Sequence, residues 1–307
     1  MFTQFSAMAF KARGFQWEIR RYGESRLGYW RKSLKISTHT FPKRLVLLPG
    51  FGDTPLSWWL TLLTLEPFLK EHFEEILIFD FPGFAGFLSK EKSFESIDHM
   101  ISVIGDVLDT LKPHTILGHS LGGWLASIYA ADCGKGIRPL WQPHYQGPQN
   151  IILISPSGVF SNETVWEDWQ KLFRSVMTHG FKQIRSHFFF KEPLWFPVLT
   201  PYFHTMFNRE DILNFMKSFR EDHRIDRSIH KIQSNVFLVW GKQDAIIPVS
   251  CATSWIQKLD PKLSRPERIL ILENIGHNPQ IEAPLVTSKI LKQVLDKAEK
   301  ESQISHA

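Results

Sequence analysis

Apolar residues along this chain gather in short unbroken runs, separated by longer stretches in which they recur every three or four positions. The runs Arg44 to Leu48, Glu75 to Asp80, Asn150 to Ser155, Asn235 to Trp240 and Arg268 to Leu272 have the length and bounds of buried strands. A further short run around Ile116 is read the same way, and Phe15 to Arg21 with Leu27 to Lys35 reads as two strands around a turn at Gly23. Between the runs the period changes. Ser93 to Leu111 places Phe94, Ile97, Ile101, Ile104 and Leu108 on one helical face, with Ser93 and Ser96 offering capping hydroxyls at its start. Helices are also expected around Trp58 to Leu63, over Leu121 to Ala131, Val249 to Leu259 and Ala283 to Lys300, with a frayed tail over Glu299 to Ala307. Strands alternating with helices predict an α/β fold, a mostly parallel sheet sandwiched by helices.

The rhythm breaks between Val159 and Gln233, where helical periodicity continues with no strand alternation. An inserted helical cap over the C-terminal edge of the sheet is expected there. Its middle is crowded by Phe188, Phe189, Phe190, Trp195, Phe196, Tyr202, Phe203 and Phe207, and Pro193, Pro197 and Pro201 forbid one continuous helix. The division read from the sequence is a core from 1–158 and 231–300, a cap from 159–230 and a tail from 301–307. Gly134 to Gln149, with Pro139, Pro143 and Pro148, reads as a connection that is neither helix nor inner strand.

With 307 residues, 43% of them apolar, the chain is long enough to bury a large core. No apolar run approaches the roughly 20 residues of a membrane span, and Met1 to Phe10 lacks the pattern of a secretory signal. Cys133 and Cys251 lie far apart without metal-ligand spacing, which fits two free thiols in a reducing cytoplasm. Net charge is +5, and the first 44 residues hold ten Lys and Arg against Glu18 and Glu24. Attraction to anionic lipid or an acidic partner is one reading. The favoured one is a pair of solvated edge strands that charge protects from aggregation. No aromatic and basic nucleic-acid platform is present.

The chemistry concentrates at Ile116-Leu117-Gly118-His119-Ser120-Leu121-Gly122-Gly123-Trp124. Gly-x-Ser-x-Gly alone arises by chance in roughly one chain in ten of this length. Here a strand precedes it and a helix follows, the context of a nucleophile elbow: a sharp turn that lifts the Ser120 hydroxyl above the sheet, beside the amides of a helix N-terminus. A serine needs a base, and the base an orienting carboxylate. His277, in Asn274-Ile275-Gly276-His277-Asn278-Pro279, follows the last strand. Asp244, in Trp240-Gly241-Lys242-Gln243-Asp244, follows the strand before it. In a parallel sheet such strand ends converge.

These segments, that of His277 running on through Gln280-Ile281-Glu282, together with Leu48-Pro49-Gly50-Phe51-Gly52 and Asp80-Phe81-Pro82-Gly83-Phe84, resemble those of α/β-hydrolase-fold serine hydrolases over roughly Arg44 to Leu295. The resemblance implies Ser120 as nucleophile, His277 as base, Asp244 as orienter and an oxyanion hole from the backbone amides of Phe51 and Leu121, with neither cofactor nor metal. One departure is Pro49-Gly50, where the family usually has His-Gly. The resemblance makes Asp80 structural, before a loop lining the pocket entrance, and points His119 away from the site; Asp53 is expected to cap the following helix. It implies hydrolysis of a carboxylic ester, with the aromatic cap fitting an apolar, lipid-like acyl group. Carbon–carbon bond hydrolysis of ring-cleavage products, with Arg174, Arg185 or Arg209 as the basic cap residue, and thioester hydrolysis use the same triad. A non-catalytic binding protein on the same scaffold is the rival of another class. The expected partner is a small ester; peripheral lipid contact and a monomer or homodimer remain open.

Overall fold

A computed structural model describes residues 2–23, 25–36, 42–138 and 145–304. Eight strands form one sheet: β1 (Gln16–Tyr22), β2 (Ser25–Ser33), β3 (Arg44–Leu48), β4 (Glu75–Asp80), β5 (Thr115–His119), β6 (Asn150–Ile154), β7 (Asn235–Gly241) and β8 (Ile269–Leu272). Their order is β1-β2-β4-β3-β5-β6-β7-β8. β1 pairs antiparallel with β2, and β2 with β4; every other pairing is parallel. The helices are α1 (Phe2–Ala12), α2 (Trp59–His72), α3 (Ile97–Leu111), α4 (Leu121–Gly134), α5 (Glu163–His179), α6 (Lys182–Arg185), α7 (Thr200–Phe207), α8 (Glu210–Lys217), α9 (Ser250–Lys258), α10 (Pro279–Glu282) and α11 (Pro284–Ile304).

Except for the edge strand β8, where Ile271 is exposed, the unbroken apolar runs are strands buried on both faces, and their side chains divide by the period of two. Val46, Leu48, Leu77, Phe79, Ile116, Ile151, Leu153 and Leu238 enter one core, with α3, α4 and the helices inserted after β6. Leu45, Leu47, Ile76, Ile78, Leu117, Ile152, Phe237 and Val239 enter the other, under α2 and α11. Order reverses between β3 and β5, whose following loops therefore splay apart and leave a crevice at the C-terminal edge.

Several expectations are corrected. α3 begins at Ile97 rather than Ser93. Ser96 is the cap, its Oγ accepting the His99 amide at 3.1 Å, while Ser93 stays outside the helix. The basic strands are not both edges: β2 lies between β1 and β4, and Leu27, Tyr29 and Trp30 are fully buried. The local charge excess is matched by carboxylates from elsewhere, as Arg13 and Lys32 pair with Glu66, Arg31 and Arg44 with Glu75, and Lys43 with Glu299. The tail expected from Glu299 is helix through Ile304, with Glu299 and Ser302 buried. The N-terminal helix was not signalled, because its apolar residues show no clear stripe; Phe10 anchors it against Trp30. Residues 305–307 and the expectation for Pro139 and Pro143 lie outside the described residues.

Replacing Ser96 with alanine removes the side-chain acceptor at the start of α3. The expected cost is about 1 kcal/mol, read as a lowered midpoint in urea unfolding with an unchanged slope; an unshifted midpoint contradicts the assignment.

Candidate active site

Ser120 stands between the end of β5 and the start of α4 at φ +50°, ψ −113°. A non-glycine residue rarely adopts this conformation, and neighbours enforce it. A Cβ on Gly118 would lie 2.5 Å from the Gly122 carbonyl oxygen, and one on Gly122 would lie 2.2 Å from that of Leu48. Glycine is required at both positions because α4 starts in backbone contact with the ends of β3 and β5. The serine amide donates to the Ile154 carbonyl at 2.9 Å, which ties the turn to β6. Leu121 is the first residue of α4, so its amide has no partner within the helix.

The expected trio meets over the sheet edge. His277 Nε2 lies 2.9 Å from Ser120 Oγ, and its Nδ1 lies 2.8 Å from Asp244 Oδ2. The other Asp244 oxygen accepts the amides of Ile246 and Ile247, both at 2.9 Å, which fixes the carboxylate plane. All three side chains are buried. A carboxylate at Nδ1 favours the tautomer with the proton on that nitrogen, leaving Nε2 as acceptor for the serine hydroxyl. The loops carrying Asp244 and His277 are laced together. Lys242 N donates to Leu272 O, Gln243 N to Ile275 O, and Gln243 Oε1 accepts Ile275 N. A Cβ on Gly241 would meet the Gly276 carbonyl oxygen at 2.0 Å.

His119 does not point away. Its Nε2 donates to the His277 carbonyl at 2.9 Å, and its Nδ1 accepts from Gln280 Nε2 at 3.2 Å. It thereby braces the loop that bears His277. Asp53 is not the helix cap either: Thr54 occupies that position, and Asp53 Oδ1 accepts the Thr54 amide at 2.8 Å. Asp53 Oδ2 sits 3.7 Å from His119 Nδ1. Two further polar residues of the His277 segment were given no role from the sequence. Glu282 accepts from the amides of Gly276, Phe190 and Lys191, and Asn278 Nδ2 donates to Phe188 O at 3.0 Å. The signal was present, since both polar residues follow His277 within five positions, but their partners are remote backbone atoms.

Ser120 and His277 open into a cavity of about 720 Å³, part of it solvent-facing. Phe51 and Leu121 line it beside them. Its remaining wall is largely aromatic, with Phe173, Phe188, Phe189, Phe196, Phe203 and Phe207 from the inserted segment beside the polar Asp53, Ser157 and Asn278, so five of the eight aromatics expected at 188–207 reach it. Phe190, Trp195 and Tyr202 face solvent instead. Among the described residues, no Lys or Arg lines the cavity. Arg185 pairs with Glu192, and Arg209 with Asp211.

Residues 45–289 match the alpha/beta hydrolase family. The chain belongs to that family. Over 272 residues it is 24% identical to monoacylglycerol lipase ABHD6 of Bos taurus, covering 80% of this chain and 73% of the relative. Among solved structures it resembles Lip1 of Acinetobacter baumannii AYE, with a TM-score of 0.72 at 22% identity, covering 98% of this chain and 97% of the other. It also resembles the esterase EaEST of Exiguobacterium antarcticum, with a TM-score of 0.65 at 17% identity, covering 93% and 98%. At these identities the structures show a shared fold.

In this alpha/beta hydrolase Asp80 is wholly buried at the end of β4, and its Oδ2 accepts the Leu88 amide at 2.9 Å, closing the loop that begins at Phe81. Burial pushes its pKa up to about 7, and the neighbouring Asp53 charge adds to the rise. The folded state thus holds this proton more tightly than the unfolded chain. Stability conferred by the protonated form is complete below about pH 4 and is lost as pH rises through about 7. D80N cannot ionise, so between pH 5 and pH 8 the wild type should lose stability relative to this variant, by a few kcal/mol at most. Parallel stability curves in urea titrations across that range contradict the assignment.

Proposed function

We propose that this protein hydrolyses carboxylic esters bearing an apolar acyl group, through a covalent acyl-enzyme on Ser120. The observation that carries the reading is the continuous relay from Asp244 through His277 to the Ser120 hydroxyl at the floor of an aromatic cavity. In the first step the Ser120 oxygen attacks the ester carbonyl while His277 Nε2 takes its proton. The carbonyl oxygen becomes an alkoxide facing the amides of Phe51 and Leu121, each donor worth about 3 kcal/mol in the transition state. The tetrahedral intermediate collapses, and the imidazolium gives its proton to the departing alcohol. Asp244 stabilises the imidazolium and keeps its ring oriented. Water then enters, loses a proton to the same nitrogen and attacks the acyl-enzyme. The acid leaves, and the proton returns to Ser120. Every proton and electron pair is accounted for by the substrate, water and these side chains.

The cavity wall supports the apolar acyl group. Phe188, Phe196, Phe203 and Phe207 offer large apolar area and no charge to a carboxylate-bearing chain. The relatives named monoacylglycerol lipases support the same class of substrate. The carbon–carbon hydrolase reading is weakened, because Arg185 and Arg209 are engaged by carboxylates and no Lys or Arg, Arg174 included, lines the cavity among the described residues. A serine rather than a carboxylate nucleophile also disfavours alkyl-ester chemistry on haloalkanes or epoxides. We assign residues 159–230 as a cap over the core, its edge joined to the His277 loop by Glu282 and Asn278.

Ser120→Ala should lower kcat/KM for p-nitrophenyl octanoate by roughly 10⁴- to 10⁶-fold. Undiminished turnover removes Ser120 from its role. Across p-nitrophenyl esters from acetate to palmitate, kcat/KM should rise from acetate to the medium and long chains. A flat profile, or one confined to acetate, rejects the apolar acyl site.

A further inference from the structure

The segment that lines the cavity from inside is apolar on its outside as well. From Pro193 to Asn208 the chain contains no Lys, Arg, Asp or Glu. Phe196 and Phe203 turn inward to the cavity. Phe190, Leu194, Trp195, Val198 and Tyr202 are exposed, Leu194 to 99% and Val198 to 70%. Scattered single apolar residues need no explanation, but five exposed ones within thirteen positions concentrate apolar surface into a patch along one segment. No charged residue intervenes between Leu194 and Tyr202, while Lys191 and Glu192 lie between Phe190 and Leu194. Glu192 is neutralised by Arg185, whose two nitrogens lie 2.6 and 2.9 Å from its oxygens. Lys182 and Lys191 are exposed and make no ion pair among the described residues.

We propose that this face docks on a lipid surface, with Leu194 and Val198 entering the apolar layer, Trp195 and Tyr202 at the headgroup boundary, and Lys182 and Lys191 against anionic headgroups. An apolar centre with amphipathic aromatics and a cationic rim complements that boundary. The placement gives the docking a purpose. The same few residues separate the lipid phase from the cavity, and the amides of Phe190 and Lys191 are fastened by Glu282 to the loop carrying His277. A substrate with an apolar acyl chain leaves the lipid beside the cavity rather than crossing water. The proposal deepens the acyl-ester reading, yet its readout is binding and does not require turnover.

The test uses the full chain carrying Ser120→Ala, so that no lipid is consumed. Its cosedimentation is measured with phosphatidylcholine vesicles, with and without phosphatidylglycerol. The expected result is binding to both, tighter with phosphatidylglycerol. On that background L194E/V198E should bind about tenfold or more weakly. K191E should lose only the gain due to phosphatidylglycerol. In the otherwise native enzyme, L194E/V198E should leave p-nitrophenyl acetate hydrolysis unchanged. If that pair disturbs folding, seen by circular dichroism, L194S/V198S replaces it with the same expectation. Failure of the parent protein to bind either vesicle overturns the proposal, as does equal binding by the folded double variant. A dimer that L194E/V198E converts to monomer, with no vesicle binding, also overturns it, because a second copy then covers the patch. Loss of acyl-chain preference with vesicle binding intact would instead count against the ester reading alone.

Discussion

Ser120 is held at a positive φ, and much of the molecule exists to make that conformation tenable. Such strain costs about 1–3 kcal/mol and persists only where the surroundings over-determine it. Here the determinants are backbone contacts. α4 begins against Leu48 at the end of β3 and against Gly118 in β5, and a single added methyl group at Gly118 or Gly122 would collide with a carbonyl oxygen. The Ser120 amide is engaged by Ile154 and its carbonyl by the amides of Trp124 and Ser157. The turn is thereby fixed to three adjacent strands, and the hydroxyl points where the sheet opens.

A parallel sheet puts the ends of β3, β5, β7 and β8 on one edge, so residues far apart in the chain become neighbours without any long-range guidance beyond strand order. What the sheet leaves loose, the loops secure. Gly241 lets the Asp244 turn touch the Gly276 carbonyl, His119 and Gln280 support the His277 loop from below, and Glu282 and Asn278 fasten it to the inserted helices. The His277 ring is thus positioned by polar contacts on each side while the cavity above it is largely apolar. Low polarity around the relay strengthens each of its hydrogen bonds.

The strands and the convergence of Ser120, Asp244 and His277 were legible because they rest on local signals. Apolar runs mark strands, glycines flank the turn, and order along the chain maps onto order across the sheet. The departures arise where tertiary contacts decide. Ser93 and Ser96 are equivalent from sequence, and only the path of the loop before Ile97 selects Ser96 as cap. The polar C-terminus continues as helix because Lys43 and Arg268, each just before a distant strand, meet Glu299 and Glu301. His119 looked idle since its partner is a main-chain carbonyl 158 positions away, which no side-chain pattern records. The inserted aromatics were countable, but which of them face the cavity and which face solvent depends on where Pro197 and Pro201 break the helices into a short 3₁₀ turn and α7.

The central claim is that the His277–Ser120 contact makes one hydroxyl nucleophilic. Intact-mass and peptide analysis after brief treatment with a fluorophosphonate tests it directly. The account predicts a single adduct, located on the peptide containing Ser120, and its disappearance in His277→Ala. No adduct on the folded protein, or an adduct on another residue with Ser120 unmodified, contradicts it.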